Sequence, residues 1–292
     1  MTPADMTRAI SYASAARSRA GRAVIHALEC ATGKTALIRR AAGYQDDVAR
    51  GRSFWQVIPE RYGLSMDIIG GAMTNIPALG PLILIANHPY GILDGLMMGY
   101  LLDHIRGDFR ILANAVFRQA DTLNRVLLPI SFDDTKEAVR LNLETRATAL
   151  TYLSQGGAIG VFPGGTVSTS AKLFSHPMDP SWRNFTAKMI AKSGATVVPI
   201  YFDGHNSRLF QLASRLHSNL RLALLLSEFK SRLDEPVRVV IGQPIPAPEI
   251  DALKSDPTAL MDFLRNRTYQ LSPTPLRSYD HGYEFEAKYK TR

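Results

Sequence analysis

Leu82-Ile83-Leu84-Ile85-Ala86 runs directly into Asn87-His88-Pro89-Tyr90-Gly91-Ile92-Leu93-Asp94-Gly95, and the reading of this stretch decides the fold. Five consecutive apolar residues are too few for a helix and too unbroken for a strand with one wet face, so they predict a strand buried on both sides. Outward from it the pattern repeats. Short apolar runs at 109–113, 127–132, 158–162, 196–202 and 237–241 are each bounded by turn residues or polar breaks. Between them lie helical windows, the clearest at 136–153 and another at 181–192, the latter behind Asp179 and Pro180 and stopped by Gly194. Strands alternating with helices predict an α/β fold, a mostly parallel central sheet with helices on both faces.

The remaining chain divides around this unit. Residues 1–75 read as an N-terminal helical arm, 76–272 as the α/β domain, and 273–292 as a tail without periodicity, laid on the surface. With 292 residues, 46% hydrophobic and 21% charged, the chain has the composition of an ordinary globular protein. No apolar run approaches the roughly 18 residues of a spanning helix, because 76–86 is interrupted by Pro77, Gly80 and Pro81. The first twenty residues lack the apolar segment of a secretory signal, which predicts a cytoplasmic protein. Cys30 is the single cysteine, so neither an internal disulfide nor a multi-thiolate metal site is expected.

A net charge of +8 predicts an acidic partner. Up to Arg52 there are nine basic and four acidic residues, which places most of the excess in the arm. Wound as a helix, Arg8, Arg19 and Arg22 share one face, while Met6, Ile10, Ala13, Ala20, Val24 and Leu28 share the other. Two readings follow: an arm lying on an anionic membrane surface, or a helix packed on its own domain with a solvated basic face.

Several chemistries are excluded by what is missing. Gly33-Lys34-Thr35 resembles the end of a phosphate loop, but the first glycine would fall on Leu28. No G-x-S-x-G, H-E-x-x-H or strand-borne G-x-G-x-x-G occurs, and no zinc-finger or ribonucleoprotein signature points to nucleic acid. No metal site and no cofactor are expected. His88, by contrast, falls at the carboxyl end of a buried strand, where open α/β sheets place their ligands. An imidazole there acts as a general base if a carboxylate holds its other nitrogen, and Asp94 is the nearest candidate. The alternative makes His88 a turn residue and Asp94 a helix cap.

Further motifs in a fixed order bear on that choice. Asn87 to Gly95 resembles block one of the PlsC-like lysophospholipid acyltransferases, a histidine and an aspartate separated by four residues. Phe162-Pro163-Gly164-Gly165-Thr166-Val167-Ser168 resembles their third block, usually Phe-Pro-Glu-Gly-Thr-Arg-Ser. Val198-Pro199-Ile200 resembles the fourth block, and Ala115-Val116-Phe117-Arg118 is a weak second. Two departures stand out. Five residues, not four, separate His88 from Asp94, which is similar to the hemolysin-like subgroup and to the lyso-ornithine-lipid type of O-acyltransferase in bacterial aminolipid synthesis. The third block carries Gly164 and Val167 where glutamate and arginine are usual.

The resemblance implies a lysolipid O-acyltransferase with His88 as base and Asp94 as its orienting carboxylate. The donor would be a thioester of acyl-carrier protein or CoA. Gly164, Gly165 and Thr166 would serve an oxyanion or head group through backbone N–H groups, with Arg118 and Arg208 as acceptor-binding cations; Lys172, Arg183 and Lys188 are further cations that could replace the lost arginine. Loss of the block-three charges points to a lyso-aminolipid acceptor. Lysophosphatidic acid is the alternative acceptor, and a non-catalytic membrane-binding protein is the alternative class. The expected location is the cytoplasmic face of the inner membrane, held peripherally.

Overall fold

The computed structural model describes residues 18–115 and 124–286. In chain order these form helices α1 (Arg19–Thr32), α2 (Lys34–Ala41), α3 (Tyr44–Ala49) and α4 (Phe54–Arg61), strand β1 (Ser65–Gly71), strand β2 (Leu82–Ala86) and helix α5 (Ile92–Arg106). There follow β3 (Arg110–Asn114), β4 (Leu127–Ile130), α6 (Lys136–Ser154), β5 (Ala158–Val161), α7 (Asn184–Ser193) and β6 (Thr196–Phe202). The chain continues through α8 (Arg208–Leu216), α9 (Ser218–Lys230), β7 (Pro236–Ile241), α10 (Ala247–Asp251) and α11 (Pro257–Tyr269). The seven strands form one sheet in the order β1-β7-β6-β2-β5-β3-β4. From β6 to β4 the neighbours are parallel; β7 runs antiparallel to β6, and β1 runs parallel to β7.

Strand β2 is buried along its whole length. Leu82, Leu84 and Ala86 enter one apolar core with Leu96, Met97 and Leu101 of α5. Ile83 and Ile85 point the other way, into a second core with Ala149 and Leu153 of α6, Met189 and Ile190 of α7, and Leu260 and Leu264 of α11. The pleat sends alternate side chains to opposite faces, so an unbroken apolar run is what a strand between two helical layers requires.

Four expectations need correction. The segment up to residue 75 is not helical throughout: Ser65–Gly71 is a strand paired with β7. A register shift between Ile68 and Gly70 breaks its two-residue period, and the terminal glycines read as a turn. The face of α1 is rotated from the one expected. Gly21, Ile25 and Glu29 are buried while Ala20 and Val24 are exposed, because Ile25 packs with Ala223 and Leu225 of α9. This helix therefore packs on its own domain, capped by Ser18, whose Oγ accepts from Gly21 N at 2.9 Å; Met6, Arg8, Ile10 and Ala13 lie outside the described residues. The helix expected from 181 starts at Asn184, and Asp179 does not cap it. Finally, the strand expected over 127–132 ends at Ile130, where Ser131 N turns to donate to Asn142 Oδ1 at 2.9 Å.

Lys34 of the spurious phosphate-loop match is buried and donates to the buried Glu29 at 3.2 Å, a structural ion pair joining α1 to α2. On the C-terminal side, the described tail residues lie on the domain, with Arg265 Nη1 donating to Tyr279 O at 2.6 Å.

Truncation of one central β2 side chain tests the two-faced core. Leu84→Ala is expected to lower the unfolding free energy by about 2–5 kcal/mol in urea titration. Val139→Ala, at an exposed position of α6, is expected to leave it within about 0.5 kcal/mol.

Candidate active site

The C-terminal ends of β6, β2 and β5 lie side by side; β2 leads into block one, β5 into block three, and β6 itself carries block four. Connections leave β2 in one direction, toward β3, and return from β5 across β2 to β6, so β2 stands at a topological switch point. Asn87 locks two of these ends together. Its Nδ2 donates to Phe202 O at 2.9 Å, and its Oδ1 accepts from Phe202 N at 2.7 Å. Tyr90 Oη donates to Asp203 O at 2.7 Å, and burial pushes its phenol up to about 12. On the β5 side, the His88 ring stacks on Phe162 with centroids 4.3 Å apart.

His88 Nδ1 lies 3.0 Å from Asp94 Oδ2. The separation is that of a hydrogen bond, but the alignment falls outside hydrogen-bond geometry, as is common before substrate draws a base into line. The same Oδ2 accepts from Tyr90 N at 2.8 Å and Gly91 N at 2.9 Å. Asp94 is thus both the cap of α5 and the partner of His88. Between the two lies Gly91, whose φ of +88° is a conformation that disfavours a side chain, and whose missing Cβ leaves room for Val167 and Leu225. Burial raises the Asp94 carboxyl above the ordinary carboxylate range; His88 and the two N–H groups pull it back. The His88 side chain keeps 18% of its exposure, so a substrate can reach the imidazole.

The block-three turn divides its N–H groups. Gly165, at φ +68°, donates to Phe162 O at 3.0 Å, so its N–H closes the turn and is not free for an anion. The expectation for that residue is corrected accordingly. The N–H groups of Gly164 and Thr166 have no hydrogen-bond acceptor among the described residues. The Thr166 hydroxyl accepts from Arg221 Nη2 at 2.6 Å.

The cations proposed for the acceptor do not gather here. Arg208 is exposed in the first turn of α8, and Lys172 and Lys188 are exposed as well. Arg183 is buried in a double ion pair, with Nη1 2.9 Å from Glu284 and Nη2 3.1 Å from Glu286 in the tail. Arg118 lies outside the described residues. A second buried arginine beside block three is Arg221, which sequence reasoning missed. Its Nη1 donates to Thr169 Oγ1 at 3.1 Å and its Nη2 to Val167 O at 2.9 Å, and it lies over the Phe285 ring at 4.1 Å. One signal was present: Arg221 is the lone charge in the apolar run Leu220 to Leu226.

Asp179 was missed as well. It is fully buried, and its Oδ1 accepts from His88 N at 3.2 Å and from the Ser168 hydroxyl, while Oδ2 accepts from Trp182 Nε1 at 2.9 Å. Ser168 N in turn donates to His88 O at 2.8 Å. The His88 peptide is therefore held at its N–H by Asp179 and at its carbonyl by Ser168. A Cβ built on Gly164 would lie 3.2 Å from Asp179 Cβ and 3.3 Å from its carboxyl carbon. The position that carries glutamate in block three of the resembled family thus faces a carboxylate supplied from another segment. Among the described residues, no group of three or more His, Cys, Asp or Glu is placed to hold a metal.

Residues 71–203 match the family model described as Acyltransferase. A lyso-glycine lipid O-acyltransferase of Phocaeicola vulgatus is 25% identical over 228 residues, covering 76% of this chain and 78% of that protein. A protein of the same description from Bacteroides thetaiotaomicron is 25% identical over 205 residues, covering 68% of this chain and 72% of its own. Among solved structures, the 1-acyl-sn-glycerophosphate acyltransferase PlsC of Thermotoga maritima aligns with 18% identity and a TM-score of 0.46, over 77% of this chain and 79% of that one.

The facing of Gly164 and Asp179 can be tested by exchange. Asp179→Ala strands three donors in the interior and is expected to cost about 2–5 kcal/mol of stability, at about 1–3 kcal/mol for each orphaned group less relaxation. Gly164→Glu crowds Asp179 and is expected to destabilise too. Gly164→Glu combined with Asp179→Gly is expected to be more stable than either single variant in urea unfolding, since one carboxylate then replaces the other.

Proposed function

The chain is a PlsC-like lysolipid acyltransferase, and on that footing we propose that its acceptor is a lyso-aminolipid and that His88 and Asp94 carry the chemistry. The observation that carries the assignment of residues is the 3.0 Å approach of His88 Nδ1 to a fully buried carboxylate at the end of β2. With Nδ1 turned to Asp94, Nε2 is the nitrogen left to take a proton. It removes the proton of the acceptor hydroxyl as that oxygen attacks the thioester carbonyl carbon. The Asp94 carboxylate stabilises the imidazolium, and the N–H groups of Gly164 and Thr166 are the candidate donors to the tetrahedral oxyanion. Collapse breaks the C–S bond, and the imidazolium returns its proton to the departing thiolate, leaving an ester and a free thiol. No covalent acyl-enzyme is required, and Cys30 is exposed on α1.

Two observations support an acceptor without a phosphate. The buried arginines nearest block three are already committed, Arg221 to Thr166, Thr169 and Val167, and Arg183 to Glu284 and Glu286. Phosphate recognition favours guanidinium forks that are free to point at the ligand. The named relatives, moreover, act on a lyso-glycine lipid. The acyl donor is a thioester of acyl-carrier protein or CoA, drawn by the basic surface. No helix of the described residues is long and apolar enough to cross a membrane; the location proposed is peripheral, on an anionic leaflet at the cytoplasmic face of the inner membrane.

With a labelled acyl thioester and a panel of lyso-aminolipids and lysophosphatidic acid, the diacyl aminolipid is the expected main product by mass; preferential formation of phosphatidic acid would overturn the acceptor assignment. His88→Ala is expected to lower kcat by about 10²–10⁴-fold, and Cys30→Ser to leave it unchanged. Asp94→Asn separates chemistry from folding. A carboxyl whose pKa is raised in the folded state stabilises the protein below its unfolded pKa, and that contribution disappears as pH rises through the folded value. From acid toward neutral pH, wild type should therefore lose stability relative to Asp94→Asn. The variant should be as stable as wild type at neutral pH yet severely impaired in transfer.

A further inference from the structure

Helix α8 is capped by Ser207, whose Oγ accepts from Phe210 N at 3.2 Å. It buries Phe210, Gln211, Ala213 and Ser214. Its opposite side is not polar. Leu209, Leu212 and Leu216 are 65%, 46% and 69% exposed, and their spacing of three and four puts them on a single ridge. Beside the helix runs the loop that continues block three. Ser170 N donates to Gln211 Oε1 at 3.0 Å, which seats the loop on α8. At the tip, Leu173 is 57% and Phe174 82% exposed. The tip is built, with Ser170 Oγ donating to Ser175 O at 2.8 Å and Lys172 N to Ser175 Oγ at 3.1 Å. Phe174 sits at a φ of +69°, a left-handed conformation that a bulky side chain adopts only where its surroundings impose it. Half of the ten most exposed large apolar side chains among the described residues fall on this helix and loop, which is a concentration rather than a scatter.

The charge around the ridge selects its partner. Neither 164–178 nor 204–227 contains an aspartate or glutamate, and Lys172 and Arg208 are exposed on these two segments. Of the carboxylates that flank the helix segment, Asp203 pairs with Arg238 at 2.9 Å and Glu228 accepts from Ser207 N at 2.9 Å. A second copy of this chain meeting the ridge about a two-fold axis would set like charges against each other. An anionic bilayer satisfies both features, apolar side chains entering the acyl boundary and cations meeting the head groups. Resting on the lysolipid reading of the site, we infer that the α8 ridge together with Leu173 and Phe174 docks the protein onto anionic membrane. The docking face is continuous with the site. The loop holding Phe174 begins at Gly164, and its Ser168 N is bonded to His88 O at 2.8 Å. Arg221, one helix further on, ties Thr166 and Thr169 into the same unit. The lipid acceptor therefore comes to the imidazole from the surface that touches the membrane.

The test uses the full chain with vesicles of mixed phosphatidylcholine and phosphatidylglycerol. Leu209→Ser/Leu212→Ser/Leu216→Ser is expected to lower the vesicle-bound fraction by roughly tenfold or more, Phe174→Ser to lower it less, and the exposed control Val139→Ser/Leu143→Ser to leave it unchanged. In a second readout, Leu212→Trp fluorescence is expected to be quenched by lipids brominated on the acyl chain, whereas the native Trp55 and Trp182 are buried. The inference is overturned if wild type does not bind these vesicles, if the triple variant binds as wild type does, if the control falls as far as the triple variant, or if the new tryptophan is not quenched. Acyl transfer by wild type, assayed on vesicles carrying the lysolipid, separates the two readings. Binding without transfer overturns the reading of the site, and transfer with binding indifferent to the ridge overturns the docking face alone.

Discussion

Strand β2 has no free side. Its two faces are covered by separate apolar cores, and its two edges are paired with β5 and β6. The polar turn that follows it, Asn87 to Gly91, inherits that rigidity. Asn87 makes two hydrogen bonds to Phe202 at the end of β6, and His88 lies against Phe162 at the end of β5. A general base must hold its position to a fraction of an ångström to be effective. Here the positioning comes from a hydrophobic strand whose burial has no direct part in the chemistry.

Around that strand the site is built on two buried carboxylates. Asp94 Oδ2 accepts from two backbone N–H groups and lies beside the imidazole, so one oxygen starts a helix and orients a base. Asp179 joins the block-one peptide to Ser168 and Trp182. A buried carboxyl group is costly, and each of these two accepts from at least two donors. The arrangement also accounts for how the chain departs from the motifs it resembles. The glycine at position 164 leaves room for Asp179. Arg221 bonds to the carbonyl of the valine that stands in the usual arginine position.

The outer layer on this side of the molecule follows from the same packing. Ile25 of α1, Phe210 of α8 and Leu225 of α9 meet Val167 in one small core. Block three is thereby tied to helices whose outward faces remain in contact with solvent. The tail adds a further clasp. Gly282 N donates to Asp179 O at 2.8 Å, Tyr283 N donates to Thr169 O at 2.9 Å, and Glu284 pairs with Arg183.

Burial on both faces of a strand, turn chemistry and the carboxyl-end location of His88 are local consequences of residue order, and they were legible in 82–95 without coordinates. So were β6 at Thr196–Phe202 and the greater part of α6, because their apolar periods are long and clean. Strand β1 was not, since its bulge and paired glycines erase the period, and its strand character comes from pairing with β7, far along the chain. Neither Asp179 nor Arg221 could be assigned from spacing, for their partners lie 91 and 55 residues away at His88 and Thr166. A motif read along the chain reports which groups are available. Which of them are spent on one another, as the Gly165 N–H is on Phe162 and Arg183 is on the tail, is settled only when the folded chain brings donors and acceptors together and excludes water from between them.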